Sequence, residues 1–339
     1  MIRAAYWQLR LPLLIAVLGL AAVGIFAAIT GPALAHSYQS TLGVCGDDCS
    51  AALRLFNSRN QIPKILAQAI PLAVPAVLGM FWGAPLVARE LESGAYRLAW
   101  TQGRSRLRWF AGRLAVIGLA GAVLQGAITL ALTWWWRPVE RANHDRFGPL
   151  LFGAFGIAPI GYALFALALG VAAGAVARRT LPAMATTLAL FVGARAAVTY
   201  WLRPHFAPPV RAALPISANN GVGLASTAKG QMSLTFFPPD MPGAWLASSA
   251  TTDSAGRTPA GAVLREQCPD LLQAQVGAGD LRAALDTCVA ALSADFRQRL
   301  AYQPASRYWP FQWAELGLFA GLAAALAGFA AWWLARRLG

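Results

Sequence analysis

GRLAVIGLAGAVLQGAITLALTWWW, residues Gly112–Trp136, decides the fold class. A helix needs about 20 mostly apolar residues to cross a hydrocarbon core of roughly 30 Å, because each residue adds about 1.5 Å. This stretch is long enough, and its closing Trp134, Trp135 and Trp136 suit the headgroup region that indoles favour. The same test predicts five more spans, at Leu11–Thr30, Ile65–Val87, Leu150–Ala177, Leu181–Leu202 and Gln312–Leu334. Spans four and five are split only by Arg178-Arg179-Thr180 before Pro182, which reads as a helical hairpin. Composition agrees, since 57% of the 339 residues are hydrophobic and 12% charged, half the charged share of about 25% in soluble domains.

With 28 Lys plus Arg against 14 Asp plus Glu, the chain carries a formal +14. In a soluble protein that excess would point to nucleic acid. Here its placement matters more. If the N-terminus is cytoplasmic, the inner segments hold Arg3, Arg10, Arg89, Arg97, Arg104, Arg106, Arg108, Arg113, Arg178, Arg179, Arg336 and Arg337. That is about 12 basic residues in roughly 45 positions, against about 15 over roughly 155 outside. The expectation is an all-α, N-in/C-in integral membrane protein with six transmembrane helices, its partner the lipid bilayer and not nucleic acid. Tyr200 and Trp201 end span five, Trp309 and Trp313 open span six, and Tyr6, Trp7, Trp332 and Trp333 sit on the inner side, as an aromatic belt requires. Ala33-Leu34-Ala35 before His36 supplies a cleavage-like pattern, but the apolar run before it is about 19 residues, longer than the 7–15 of a signal h-region, so a retained helix is expected.

Three segments follow: 1–202 with helices one to five and an inner loop at 88–113, an extracytoplasmic insertion at 203–311, and 312–339 with helix six and a cytoplasmic tail. All four cysteines fall outside. Cys45 with Cys49 and Cys268 with Cys288 are the natural disulfide pairs in an oxidising compartment, although four cysteines allow three pairings. Zinc is disfavoured because Cys45-x-x-x-Cys49 has no second close pair and His36, His144 and His205 are scattered. Within the insertion, Met232–Phe237 is strand-like. Asp280 is a candidate N-cap for a helix whose Leu281, Leu285, Cys288, Leu292 and Phe296 recur every three or four residues. The insertion reads as a lid or packing module, with a substrate-receiving role as the alternative.

Catalytic patterns are missing. The two lysines, Lys64 and Lys229, end no P-loop, so ATP hydrolysis by that machinery is excluded for this chain. The sequence has no H-E-x-x-H motif, and no carboxylate is expected in the middle of a span, so no proton relay is expected either. Arg195 is the one ionisable side chain well inside a span, a candidate for the pathway or gating; it lies about 10 Å from the outer end, within snorkelling reach. Pro71 and Pro75 are candidate kinks in span two, with Pro85 beyond them.

The inner loop Ala88–Arg113 holds Glu90 and Glu92, the only acidic residues expected on the cytoplasmic side. Span two runs on to about Ser93, Gly94 breaks it, Tyr96 and Trp100 follow, and Ser105 can cap a helix leading into span three. A projecting helix-turn-helix of mixed charge with Arg, Tyr and Trp reads as a docking surface; a basic loop held to anionic lipid explains the arginines but not the glutamates or the glycine.

Pro85-Leu-Val-Ala-Arg-Glu-Leu-Glu-x-Gly94, then Arg97-Leu-Ala-Trp-Thr-Gln102, Arg104-x-Arg106 and Tyr302-Gln-Pro-Ala-Ser-Arg-Tyr-Trp-Pro-Phe-Gln-Trp313 resemble the membrane subunits of type-2 ABC exporters, in particular permease-like proteins of high-GC actinobacteria. With the six spans, the resemblance covers essentially the whole chain. It implies a transport subunit in the plasma membrane, not itself an enzyme, working as a homodimer or paired permease. No cofactor would be bound by this chain; ATP and Mg would sit on a separate ABC ATP-binding subunit. Arg89, Glu90, Glu92, Gly94, Arg97, Trp100, Arg104, Arg106 and Arg108 would form the coupling element. The large insertion departs from the compact outer loops of better-known members. A path lined by Ala, Leu, Phe and Trp suits a lipophilic or amphipathic substrate. The alternative is a non-transporting membrane receptor or assembly factor acting through the insertion.

Overall fold

The computed structural model describes residues 2–44, 49–93, 106–143, 145–217, 221–226, 232–273 and 278–337. Two compact units result, one of Met1–Phe206 with Tyr308–Gly339 and one of Ala207–Arg307.

The first unit is helical. Helices α1 (Ile2–Val44), α2 (Ser50–Arg59) and α3 (Gln61–Leu78) lead through a π-helical turn at Gly79–Gly83 into α4 (Ala84–Ser93). Then come α5 (Arg106–Asn143), α6 (Pro149–Ala154), α7 (Ala158–Ala177) and α8 (Thr180–Ala197), the last extended by a second π turn at Val198–Leu202. Six helical stretches are long and apolar enough to cross a membrane: Leu14–Gly43, Gln61–Glu92, Phe110–Asn143, Ala158–Ala177, Thr180–His205 and Ala305–Arg336. The chain is a multi-pass membrane protein. The tight hairpin is present, with Arg178 at φ 53° joining α7 to α8. Span four starts later than the expected Leu150, because Gly156 at φ +80° separates α6 from α7.

α7 is the hub: 72% of its apolar window is buried, against 11–28% for the other five. Hydrocarbon supplies no hydrophobic drive between helices, so close packing depends on small residues. Along this face glycines let backbones meet. A Cβ on Gly170 would lie 2.2 Å from the carbonyl oxygen of Gly79, one on Gly83 2.6 Å from that of Leu167, and one on Gly174 2.5 Å from that of Ala84. Span two carries Pro71 and Pro75 inside α3. Pro75 has no N–H, which frees the carbonyl of Pro71; buried Gln125 of α5 donates Nε2 to that oxygen at 3.1 Å. α1 is fixed to α5 by Trp135 Nε1, which donates to Thr30 Oγ1 at 2.8 Å.

The second unit departs from the all-α expectation. Strands β1 (Val210–Pro215), β4 (Trp245–Thr252) and β5 (Arg297–Gln303) form an antiparallel sheet in the order β1-β5-β4, while β2 (Val222–Ser226) and β3 (Met232–Phe236) form a hairpin. Helices α9 (Ala262–Gln267), α10 (Pro269–Gln273) and α11 (Ala278–Leu292) complete it; α11 begins two residues before Asp280. Its core gathers Leu234, Phe236, Leu264, Leu292 and Phe296 around the Cys268–Cys288 disulfide, a cross-link closing a loop of 20 residues that contributes about 3 kcal/mol in the chain-entropy account. The Cys45–Cys49 pairing falls outside the described residues, because Cys45 does. The chain ends in α12 (Tyr308–Arg337), which belongs to the first unit.

Replacing Gly170 by Val should cost at least the 1–3 kcal/mol typical of overpacking, since the atoms met are backbone; Gly24→Ala, where a Cβ meets nothing within 4 Å, should be neutral. Thermal unfolding in detergent compares them. In the second unit, Asp253 Oδ1 accepts the amides of Ala255 and Arg257 at 2.9 and 2.8 Å. These bonds, that from the Arg257 amide foremost, hold its carboxyl below the usual range. Protection of the two amides should be full above about pH 4, the unperturbed value, and fall as pH drops through the lower folded value. Hydrogen exchange with Asp253→Asn should show no such acid step.

Candidate functional site

Two polar constellations stand out in the helical unit, one at each end of its long helices. At the first, α4 carries two glutamates, the half-buried Glu90 and the exposed Glu92, and each reaches a neighbouring helix. Glu90 forms an ion pair with Arg113 of α5. Glu92 Oε1 accepts the backbone amide of Thr180 at 3.0 Å and Oε2 accepts its hydroxyl at 2.7 Å. An acceptor carboxylate at a helix start satisfies orphan N–H groups and complements the helix dipole, so Glu92 caps α8. Below these contacts Val87 and Phe110 pack with Val171, Ala172, Ala175 and Ala330. Spans two, three, four, five and six thus meet at one place. Arg89 is exposed. Gly94, Arg97, Trp100 and Arg104 lie outside the described residues, as do the side chains of Arg106 and Arg108, which fall in the first turn of α5.

The second constellation was not foreseen. Gln312, fully buried on α12, bridges the break between α6 and α7: its Oε1 accepts the amides of Ile157 and Ala158 at 3.0 and 2.8 Å, and its Nε2 donates to the carbonyls of Phe152 and Phe155 at 3.0 and 3.1 Å. One turn further, Glu315 accepts Arg203 Nε at 2.9 Å and Nη2 at 3.0 Å, and the Tyr162 hydroxyl donates to it at 2.5 Å. Arg203 and Glu315 are 1% and 0% exposed. Glu315 is a fully buried acid near the start of the sixth span, a position that the expectation of no carboxylate in the middle of a span does not cover. The signal that could have found it is spacing, since positions i and i+3 share a helix face and Gln312 and Glu315 are the polar residues of that face.

Arg195 joins this cluster. Its guanidinium carbon stands 3.7 Å from the centroid of the Tyr162 ring, and its tip packs against Gly153, where a Cβ would lie 2.5 Å from Nη2. Arg203 likewise covers Phe152 at 4.2 Å. Arg195 Nη1 is buried and has no hydrogen-bond partner among the described residues. Two guanidiniums face one carboxylate, so the cluster carries excess positive charge in a region of low dielectric. Such an arrangement can fix helix positions and attract an anionic group. Pro71 and Pro75 lie apart from it, against α5. Among the described residues, no group of three or more His, Cys, Asp or Glu is placed to hold a metal.

Glu315→Ala should destabilise the helical unit by about 3–5 kcal/mol, because it leaves a buried guanidinium uncompensated. The paired change Arg203→Met with Glu315→Leu should recover most of that loss. Denaturant unfolding in micelles reads both; equal losses would show that the ion pair is not what matters.

A family model described as ABC-2 membrane transporter related matches residues 17–203. No curated protein and no solved structure matches the chain at a significant level. The matched stretch runs from within the first span through the fifth and stops at Arg203, before the second unit. Since it takes in more than half of the chain, the protein belongs to the ABC-2 membrane transporter related family.

Proposed function

We propose that this chain is the permease subunit of an ABC-type exporter in the plasma membrane, with both termini cytoplasmic, moving a lipophilic or amphipathic substrate. A separate ABC ATP-binding subunit would hold ATP and Mg, and two permeases, identical or paired, would enclose the path. The observation that carries this reading is the family match across the first five spans. The convergence of Glu90–Arg113 and Glu92–Thr180 beside the 94–105 loop supports a coupling role for that end. A push received by Arg97, Trp100 and Arg104 would reach α4, α5 and α8 together, because the glutamates tie those helices to one another. The glutamates act within the permease in this scheme; the arginines and Trp100 face the partner. Arg195, above Tyr162, would meet the substrate or gate its path, and the prolines of α3 would bend span two.

Copurification of the full chain with its ATP-binding partner should fall sharply for Arg97→Ala with Trp100→Ala. Glu92→Ala should retain the partner but weaken substrate-stimulated ATP hydrolysis, since it releases α8 and leaves the docking residues in place. Retained binding and stimulation in the Arg97/Trp100 variant would sink the coupling assignment. The separate compact unit Ala207–Arg307, with its own core and disulfide, favours the receptor reading; there the unit would capture a ligand and inner-loop substitutions would leave function intact.

A further inference from the structure

The helical unit contains a cavity of about 280 Å³ at the end of α5 remote from Glu90. Its apolar walls are aromatic. Trp136 and Phe155 pack with ring centroids 4.8 Å apart, and Tyr308 meets Trp309 edge to face at 5.5 Å. Two carboxylates, Glu140 and Asp145, line it with two guanidiniums, Arg137 and Arg146. One of these guanidiniums already reveals what the cavity accepts. Arg146 pairs with Glu140 and lies 5.8 Å from the centroid of the Tyr308 ring, so a cation sits between a carboxylate and an aromatic face.

We infer that this cavity is a binding site for an ammonium group carried on an apolar tail, and that Arg146 is an internal stand-in for that group. Aromatic walls with a carboxylate are the chemistry that holds quaternary ammonium ions, through the negative ring faces. Arg146 is replaceable because it is weakly held: its side chain is 46% exposed, and ion pairs of that kind contribute about 0–1 kcal/mol. Once displaced it remains in water, so its release carries no desolvation penalty. The volume corresponds to about nine waters of roughly 30 Å³ each, enough for a trimethylammonium head and its first methylenes. Arg137, exposed at the rim, suits the phosphate that follows the ammonium in a lipid headgroup. That the ligand is also the transported molecule rests on the permease reading; binding does not, and is measured without the ATP-binding subunit.

The test titrates the full chain in nonionic maltoside micelles with octyltrimethylammonium, following tryptophan fluorescence, with octyl sulfate as the control of equal tail. Saturable binding of the ammonium and not of the sulfate is expected. Glu140→Gln and Trp136→Leu should each weaken it about tenfold, as a cation–π or charge contact of 1–2 kcal/mol requires. Arg146→Ala, at an exposed position that tolerates truncation, should tighten it several-fold. That tightening is the signature a general loss of structure would not produce. Displacement by dihexanoyl phosphatidylethanolamine but not phosphatidylglycerol would assign the site to a lipid headgroup; no displacement by either would assign it to a soluble amphiphile. Equal affinities in wild type, Glu140→Gln and Arg146→Ala, or weaker binding in Arg146→Ala, would overturn the inference. If the ammonium binds as expected while no ATP-binding subunit copurifies, the permease reading fails and the site stands.

Discussion

An unpaired backbone amide in hydrocarbon costs several kcal/mol because no water can satisfy it, and two departures of this chain from plain helix are matched to that constraint. Where Pro75 strips a donor from α3, Gln125 of α5 supplies one to the Pro71 carbonyl. Where Gly156 interrupts the fourth span, the single amide of Gln312 accepts two N–H groups and donates to two carbonyls across the gap. The break and its repair lie on different spans, so α6, α7 and α12 are fixed relative to one another by polar bonds. The apolar contacts then follow. With α12 held at Gln312, Phe319 reaches the Tyr162 ring edge to face at 4.9 Å, and Gly161 packs against Leu316.

Charge obeys the same constraint. Among the residues behind the formal +14, Arg203 and Arg195 enter the helical bundle. Arg203 is neutralised by Glu315 in a bidentate, fully buried pair. Such a pair is weak evidence for net stability but a strong fixative, because breaking it is far costlier than never having formed it. Arg195 instead lies over the Tyr162 ring, its Nη1 buried and without a hydrogen-bond partner among the described residues. The contrast is between an arginine with a carboxylate partner and one held by an aromatic face.

Six spans were legible because apolar length is a property of composition alone, and the α7–α8 hairpin because its connection is charged and followed by proline. The break at Phe155-Gly156-Ile157 was hidden by its own apolarity: counting hydrophobic residues passes over a glycine whose φ is positive. Glu315 was passed over because it lies three residues from the start of the expected span, where carboxylates are ordinary, and its partner Arg203 is 112 residues away. In the second unit β3 was legible at Met232–Phe237, while the other strands were obscured for a different reason. β5 alternates in burial, but the residue it buries beside Leu300 is Gln298, whose amide donates to the Phe236 carbonyl at 3.0 Å, so hydropathy does not show the period. The glutamates of the 88–113 loop were legible as unusual, but their partners Arg113 and Thr180 were not, since those are brought near only by folding.

The two constellations share one rigid element. α8 has 18 residues, about 27 Å at 1.5 Å per residue, and is held at its start by Glu92 and near its end through Arg195. A displacement of the inner loop under the proposed coupling would therefore act along α8, and the contact that yields first decides the motion. The Arg195–Tyr162 contact is a cation–π interaction worth at most about 2 kcal/mol, whereas separating Arg203 from Glu315 costs about 3–5 kcal/mol. Arg203 follows α8 directly through the π turn, so under that coupling it would act as the pivot while Arg195, two turns earlier, would move across the Tyr162 ring. Under that coupling the uncompensated guanidinium would also be the one that moves, so an anionic group drawn to the cluster would act on the helix that leads back to Glu92.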